Sequence, residues 1–194
     1  MAKPTLEKRV AKAVRHFWQT RLKQGQRQGR DTGHRDTGNR TASTGGKQLD
    51  EFAALVEALL VDSGVPSECV YRTGRADVTL PGFFRPTKQW DVVVAANGCL
   101  LAAIEFKALC GPSFGNNYNN RIEEAVGSST DIWTAYREGM FDPSLQPFLG
   151  YVLLLEEAAG STAGVSVCER HFSVAPAFVD TSYIDPRFPR GETG

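Results

Sequence analysis

Apolar residues recur at helical spacing near the start of the chain, where Leu6, Val10, Ala13, Val14, Phe17 and Trp18 share one face of residues 4–23. Lys8, Arg9, Lys12, Arg15 and Arg21 run between them. The period then vanishes. Residues 24–46, QGQRQGRDTGHRDTGNRTASTGG, hold almost nothing apolar and read as a polar flexible loop. It returns near Lys47, with Leu49, Phe52, Val56, Leu59 and Leu60 as the stripe of a second helix that Ser63-Gly64 end. A strand follows over 69–72. Residues 77–88, DVTLPGFFRPTK, carry two prolines and two aromatics and show no readable period.

At residue 89 the pattern changes. QWDVVVAANGCLLAAIEFKA (89–108) is two apolar runs around Asn97-Gly98, the signal of a β-hairpin. Residues 111–121, GPSFGNNYNNR, read as an Asn-rich loop. A third helix is predicted over 120–138 from Ile122, Ala125, Val126, Ser129, Ile132, Trp133 and Tyr136, with Gly139 after its end. PFLGYVLLLEE (147–157) reads as a strand buried on both faces. The order α, β, β, β, α, β predicts an α/β fold, a sheet with helices packed on it. The implied organisation is a basic N-terminal helix (1–23), a polar loop (24–46), a core (47–180) and an irregular tail (181–194).

Charge adds an asymmetry. Residues 1–47 hold 12 Lys+Arg and 3 Asp+Glu, a net of +9, and residues 48–194 hold 10 and 19, a net of −9. A basic arm on an acidic body suggests a polyanionic partner, although a solvated helix and linker give the same composition. No apolar stretch reaches the ~20 residues of a membrane span, and no signal-peptide pattern opens the chain, so a cytoplasmic protein is expected. The four cysteines show no paired spacing, and Cys168 with His171 is at most half a zinc site. Asp-Thr-Gly occurs at 31–33 and 36–38, but in a polar segment without the apolar strands that an aspartic-protease dyad needs.

The hairpin carries the candidate chemistry. Side chains alternate across a strand. If a three-residue loop, Asn97-Gly98-Cys99, closes it, Asp91 opposes Glu105, with Lys107 on the same side. Val92, Val94, Ala102, Ile104 and Phe106 then form a core face. A two-residue turn shifts the register by one and separates the carboxylates, so an odd loop or a bulge is required. Opposed carboxylates lie roughly 5 Å apart and repel unless a cation sits between them. Mg²⁺ takes oxygen ligands and commonly uses one or two carboxylates plus phosphate oxygens. A lysine beside such a clamp can orient or help deprotonate an attacking water, or stabilise phosphate charge. The pattern Asp91-x13-Glu105-x-Lys107 therefore suits metal-assisted phosphodiester hydrolysis. The bland alternative is a solvated strand edge.

These residues resemble the PD-(D/E)XK nuclease core. More specifically, LPGFFRPTKQWD (80–91), AAIEFKA (102–108), GPSFGNNYNNRIEEA (111–125) and DIWTAYREG (131–139) resemble the XhoI family of type II restriction endonucleases. AVRHFWQTR (13–21), SVCERHF (166–172) and SYID (182–185) agree more loosely. The resemblance implies a PD-(D/E)XK restriction-endonuclease-like fold, a mixed sheet flanked by helices. It implies a homodimer that cuts double-stranded DNA with Mg²⁺ at a short palindrome, CTCGAG, alongside a cognate DNA methyltransferase. Asp91 and Glu105 would be metal ligands and Lys107 the catalytic lysine. The proline of the family name is displaced: Gln89-Trp90 precede Asp91, and Pro86 is nearest. Asp50 or Glu57 would serve as an accessory acid.

Asn116, Asn117, Asn119, Asn120 and Arg121 suit base contacts in the major groove, or equally turns and helix capping. Arg85 and Lys88 are candidate phosphate contacts. Relatives run past SYID, whereas this chain continues PRFPRGETG, which has the look of a truncation. Two alternatives follow: a truncated DNA-binding remnant without turnover, or a structure-specific repair nuclease on the same core.

Overall fold

The computed structural model describes residues 4–31, 40–169 and 171–184. Helix α1 covers Leu6–Asp31 and α2 covers Arg40–Asp62. Both run further into the polar segment than apolar periodicity predicts, and residues 32–39 lie outside the described residues, with most of both Asp-Thr-Gly copies. Ala13 and Phe17 of α1 and Phe52 and Ala53 of α2 are buried. Arg9 reaches Asp62 at 2.8 Å and Lys12 reaches Glu51 at 3.0 Å, so part of the basic face of α1 is matched by acids of α2.

Among the described residues six strands follow: β1 (Val70–Arg72), β2 (Thr79–Pro81), β3 (Thr87–Gln89), β4 (Val92–Ala96), β5 (Cys99–Leu109) and β6 (Phe148–Leu155). A four-stranded sheet has the order β1-β4-β5-β6, and β2-β3 form a separate two-stranded ribbon. The architecture is mixed α/β, with the sheet flanked by helices. The unassigned stretch 77–88 is thus the β2-β3 ribbon, three paired residues on each side. Helix α3 spans Phe114–Arg137 and α4 spans Ala159–Thr162.

The chain divides into two compact units, 1–106 with 129–152, and 107–128 with 153–194. In the first, both faces of the β4-β5 hairpin are buried. Val92, Val94, Ala102, Ile104 and Phe106 lie on one face, and the Phe106 ring lies 6.5 Å from that of Phe52 on α2. On the other face, Val93, Leu100 and Ala103 join Val78, Trp90, Ile132, Ala135 and Phe141 in one core cluster. The face expected to carry the charges is therefore itself core over most of its length. The second unit is built on Leu109, Phe114 and Tyr118, with Ile122, Leu153, Leu155 and Tyr183 packed around them.

Two elements differ from the pattern-based reading. Helix α3 starts at Phe114, six residues before the predicted start, because Phe114, Tyr118 and Ile122 form an apolar stripe of four-residue spacing through the asparagine run. Farther along α3, Val126 and Trp133 are exposed, and Ser128, Asp131, Ile132 and Ala135 make the buried line. Strand β6 ends the sheet and leaves Phe148 and Val152 exposed, so its apolar run is not covered on both faces.

The hairpin register resolves the loop question. Ala96 pairs with Cys99, leaving a two-residue turn in which Asn97 and Gly98 both have positive φ, 52° and 76°. That turn alone would put Asp91 and Glu105 on opposite faces. A bulge intervenes: Val94 pairs with Ala102 but Ala95 with Leu100, so Leu101 is the extra residue. Beyond it Val93 pairs with Ala103 and Val92 with Ile104. The bulge thus gives the register expected of an odd loop as far as the Val92–Ile104 pair, which adjoins both acids.

Leu101 is exposed, so Leu101→Ala is expected to change stability by no more than about 0.5 kcal/mol. Deletion of Leu101 removes the bulge yet keeps the pairs Val94–Ala102, Val93–Ala103 and Val92–Ile104, because the two-residue turn then gives that register without an extra residue. Its urea midpoint is expected to lie close to that of Leu101→Ala, and a midpoint far below it would refute the register argument.

Candidate active site

Asp91 directly precedes Val92 and Glu105 directly follows Ile104, so both acids adjoin the last pair of the β4-β5 ladder. The Asp91 backbone N–H donates to the Ile104 carbonyl at 3.1 Å. Its carboxylate Oδ2 accepts the Phe106 N–H at 2.7 Å, so the side chain is anchored to the strand that carries Glu105. Glu105 sits within β5 and is only 4 % exposed. A carboxylate that deep requires positive charge close by. Lys88 of β3 provides it, with Nζ 2.8 Å from Oε2. The same Nζ lies 4.9 Å from the centroid of the buried Trp90 ring, a cation–π contact. Lys107 follows Glu105 by two residues along β5, on the same side by strand alternation.

A second buried carboxylate shapes the ribbon before Asp91. Asp131 of α3 is 3 % exposed. Oδ1 accepts the N–H groups of Phe83 and Phe84, both at 2.8 Å, and Oδ2 meets Arg85 Nε at 2.6 Å. Burial alone would raise the Asp131 pKa. The Phe84 N–H, the Arg85 guanidinium and the Phe83 N–H together outweigh it and hold the carboxyl below its ordinary value of 3.8. Gly82 is required here, since a Cβ on it would lie 2.5 Å from Asp131 Oδ2 and 2.9 Å from the Arg85 carbonyl. The clamp leaves Phe83 and Phe84 exposed, their rings edge-to-face at 5.0 Å.

Residues 27–188 match the family model described as restriction endonuclease XhoI. The chain belongs to the XhoI restriction endonuclease family. It is 49% identical over 154 residues to the type II restriction enzyme BstVI of Geobacillus stearothermophilus, covering 77% of this chain and 68% of that protein. It is 44% identical over 147 residues to the type II restriction enzyme XhoI of Xanthomonas vasicola, covering 76% and 59%. To AbrI of Azospirillum brasilense it is 43% identical over 166 residues, covering 86% and 73%. No solved structure matches the chain.

For a member of a DNA-cleaving family, the remaining candidates are distributed unevenly. Arg85 and Lys88, singled out as phosphate contacts, are each ion-paired to a buried acid, Asp131 and Glu105. Glu57 on α2 faces two arginines, Arg72 at 2.6 Å and Arg75 at 3.6 Å, and Asp50 lies exposed on the same helix. Among the described residues no group of three or more His, Cys, Asp or Glu is gathered, so neither forms a triad with Asp91 and Glu105. Asn116, Asn117, Asn119 and Asn120 stand in the first turns of α3 rather than in a loop. Of these, Asn117 is partly buried and the other three are exposed. Arg121 pairs with Glu124 at 2.8 Å. Among the described residues no helix is long and apolar enough to cross a membrane.

Pattern reading missed Asp131 and the Lys88–Glu105 pair. The first had a signal: Asp131 falls three residues after Ser128 and four before Ala135, on the buried line of α3. Lys88 had none, because its ribbon was unreadable in sequence.

Asp131→Asn is expected to cost about 2 kcal/mol at pH 7, the scale of hydrogen bonds to a charged group. Because the folded-state pKa is depressed, that contribution is fully present above the unfolded carboxylate value near 3.9 and is lost as pH falls through the lower folded value. Urea unfolding of both proteins should therefore show a stability gap that is constant from pH 7 to about 5 and closes below about 4. A gap independent of pH down to 3 would contradict this assignment.

Proposed function

We propose that the chain is a site-specific deoxyribonuclease that hydrolyses double-stranded DNA phosphodiesters at CTCGAG, uses Mg²⁺, and works as a homodimer on a PD-(D/E)XK core. The observation that supports this reading is the bulged register that pairs Val92 with Ile104, the pair that adjoins Asp91 and Glu105, in a chain of the XhoI family. A palindrome presents the same face twice, which suits a two-fold pair of subunits.

The donor set fits a hard divalent cation. One carboxylate, Asp91, is tied to the strand that carries the other, Glu105, which is so buried that the Lys88 ammonium accompanies it. Mg²⁺ is commonly held by one or two carboxylates and completes its shell with waters and substrate phosphate. When bound, such an ion supplies electrophilic charge stabilisation and makes water more acidic.

The chain's own side chains account for the remaining roles. Asp91 is tied through Oδ2 to the Phe106 N–H, which fixes the direction of its carboxylate. Glu105 is held in the sheet, which limits its reorganisation on binding. Lys107 orients the attacking water and assists its deprotonation. The asparagine-rich start of α3, with Asn116, Asn117, Asn119, Asn120 and Arg121, offers groups suited to adenine and guanine edges. A cognate methyltransferase that protects host sites is the expected companion.

Purified protein and a plasmid with one CTCGAG are expected to give a linear product in Mg²⁺ and none in EDTA. Asp91→Asn and Glu105→Gln should abolish cleavage, and Lys107→Ala should slow it on the order of 10²–10⁴-fold. All three should still shift DNA carrying the site in Ca²⁺. Specific binding without cleavage by the unaltered protein would favour the remnant reading instead, and cuts directed by DNA structure rather than sequence would favour the repair nuclease.

A further inference from the structure

Lys88 does not behave as a surface lysine. Its side chain is 14% exposed, enclosed between the Glu105 carboxylate at 2.8 Å and the Trp90 ring at 4.9 Å. It sits at the centre of β3, paired across the ribbon with Leu80. Glu105 Oε2, the oxygen it approaches, belongs to one of the two carboxylates proposed above to bind the divalent ion. A divalent cation at Glu105 and an ammonium against Oε2 repel each other, and in a site this dry the repulsion is weakly screened.

We propose that Lys88 is a resident counter-cation of Glu105, holding the carboxylate in place before metal arrives and competing with the metal for it. Metal binding then draws the Lys88 ammonium off Oε2 and away from the Trp90 ring. The freed ammonium is a ready partner for a phosphate oxygen, which reconciles its burial here with the phosphate contact suggested by its place just before Asp91. Lys88 is on this account a positioning residue that sets metal affinity. The proposal rests on the reading of Asp91 and Glu105 as the metal clamp.

The test is Mn²⁺ binding to the full chain, followed by calorimetry without DNA. Lys88→Met is expected to bind Mn²⁺ about tenfold more tightly than the unaltered protein, a typical coupling between neighbouring sites. Glu105→Gln should bind it much more weakly. Unchanged or weaker binding by Lys88→Met overturns the proposal while leaving the clamp intact. Loss of all Glu105 dependence overturns the clamp and the proposal together. Should Lys88→Met not fold, the unaltered protein gives the answer through ¹³Cε-labelled lysine. The Lys88 signal, displaced by the Trp90 ring current, should move toward the ordinary lysine position on saturation with Mg²⁺. A signal unmoved at saturation sinks the proposal.

Discussion

A carboxylate nearly sealed inside a β-sheet is the constraint that organises this molecule. The effective penalty for burying one such ion is several kcal/mol, and it is tolerated only with a partner of opposite charge. Glu105 meets that condition by recruiting an ammonium from outside the main sheet. The β2-β3 ribbon must therefore lie where Lys88 can reach Glu105. Asp131, from α3, grips the turn of the same ribbon through two backbone N–H groups and Arg85. The two buried acids thus fix one short ribbon at its turn and at the middle of β3. Neither pair would be chosen for stability alone, since apolar groups of similar volume often do as well. The placement makes sense if the exposed turn and the acid below it have work to do on a charged ligand.

Much of this was legible in sequence, and the failures have physical causes. The hairpin was readable because Asn97-Gly98 satisfies the positive φ angles of its turn and the flanking runs are apolar. The outcome of the register was not. Leu100 and Leu101 are the same residue type, and nothing in composition says which of the two is the extra one. The structure combines a two-residue turn with a bulge.

Helix α3 misled for a different reason. Four asparagines in five positions favour turns when weighed by propensity, but burial of Phe114 and Tyr118 overrides them. The β2-β3 ribbon was illegible because three-residue strands containing Pro81 and flanked by Pro86 carry no measurable alternation. The family match and the candidate acids, by contrast, were readable from short blocks: 80–91, 102–108, 111–125 and 131–139 all fall within the matched residues 27–188.

The Leu101 bulge has one further implication, for how this hairpin can diverge. The pairing of Val94 with Ala102 survives any change at the tip that turn and bulge can absorb between them. A lineage can lose the extra residue and keep a plain two-residue turn, or trade the bulge for a three-residue loop, without shifting the strands beyond. A lone insertion has to be taken up by a second irregularity or a longer loop. Correct comparison of distant relatives across this tip therefore depends on which residues pair, and a gap of one residue there is no sign of a shifted strand.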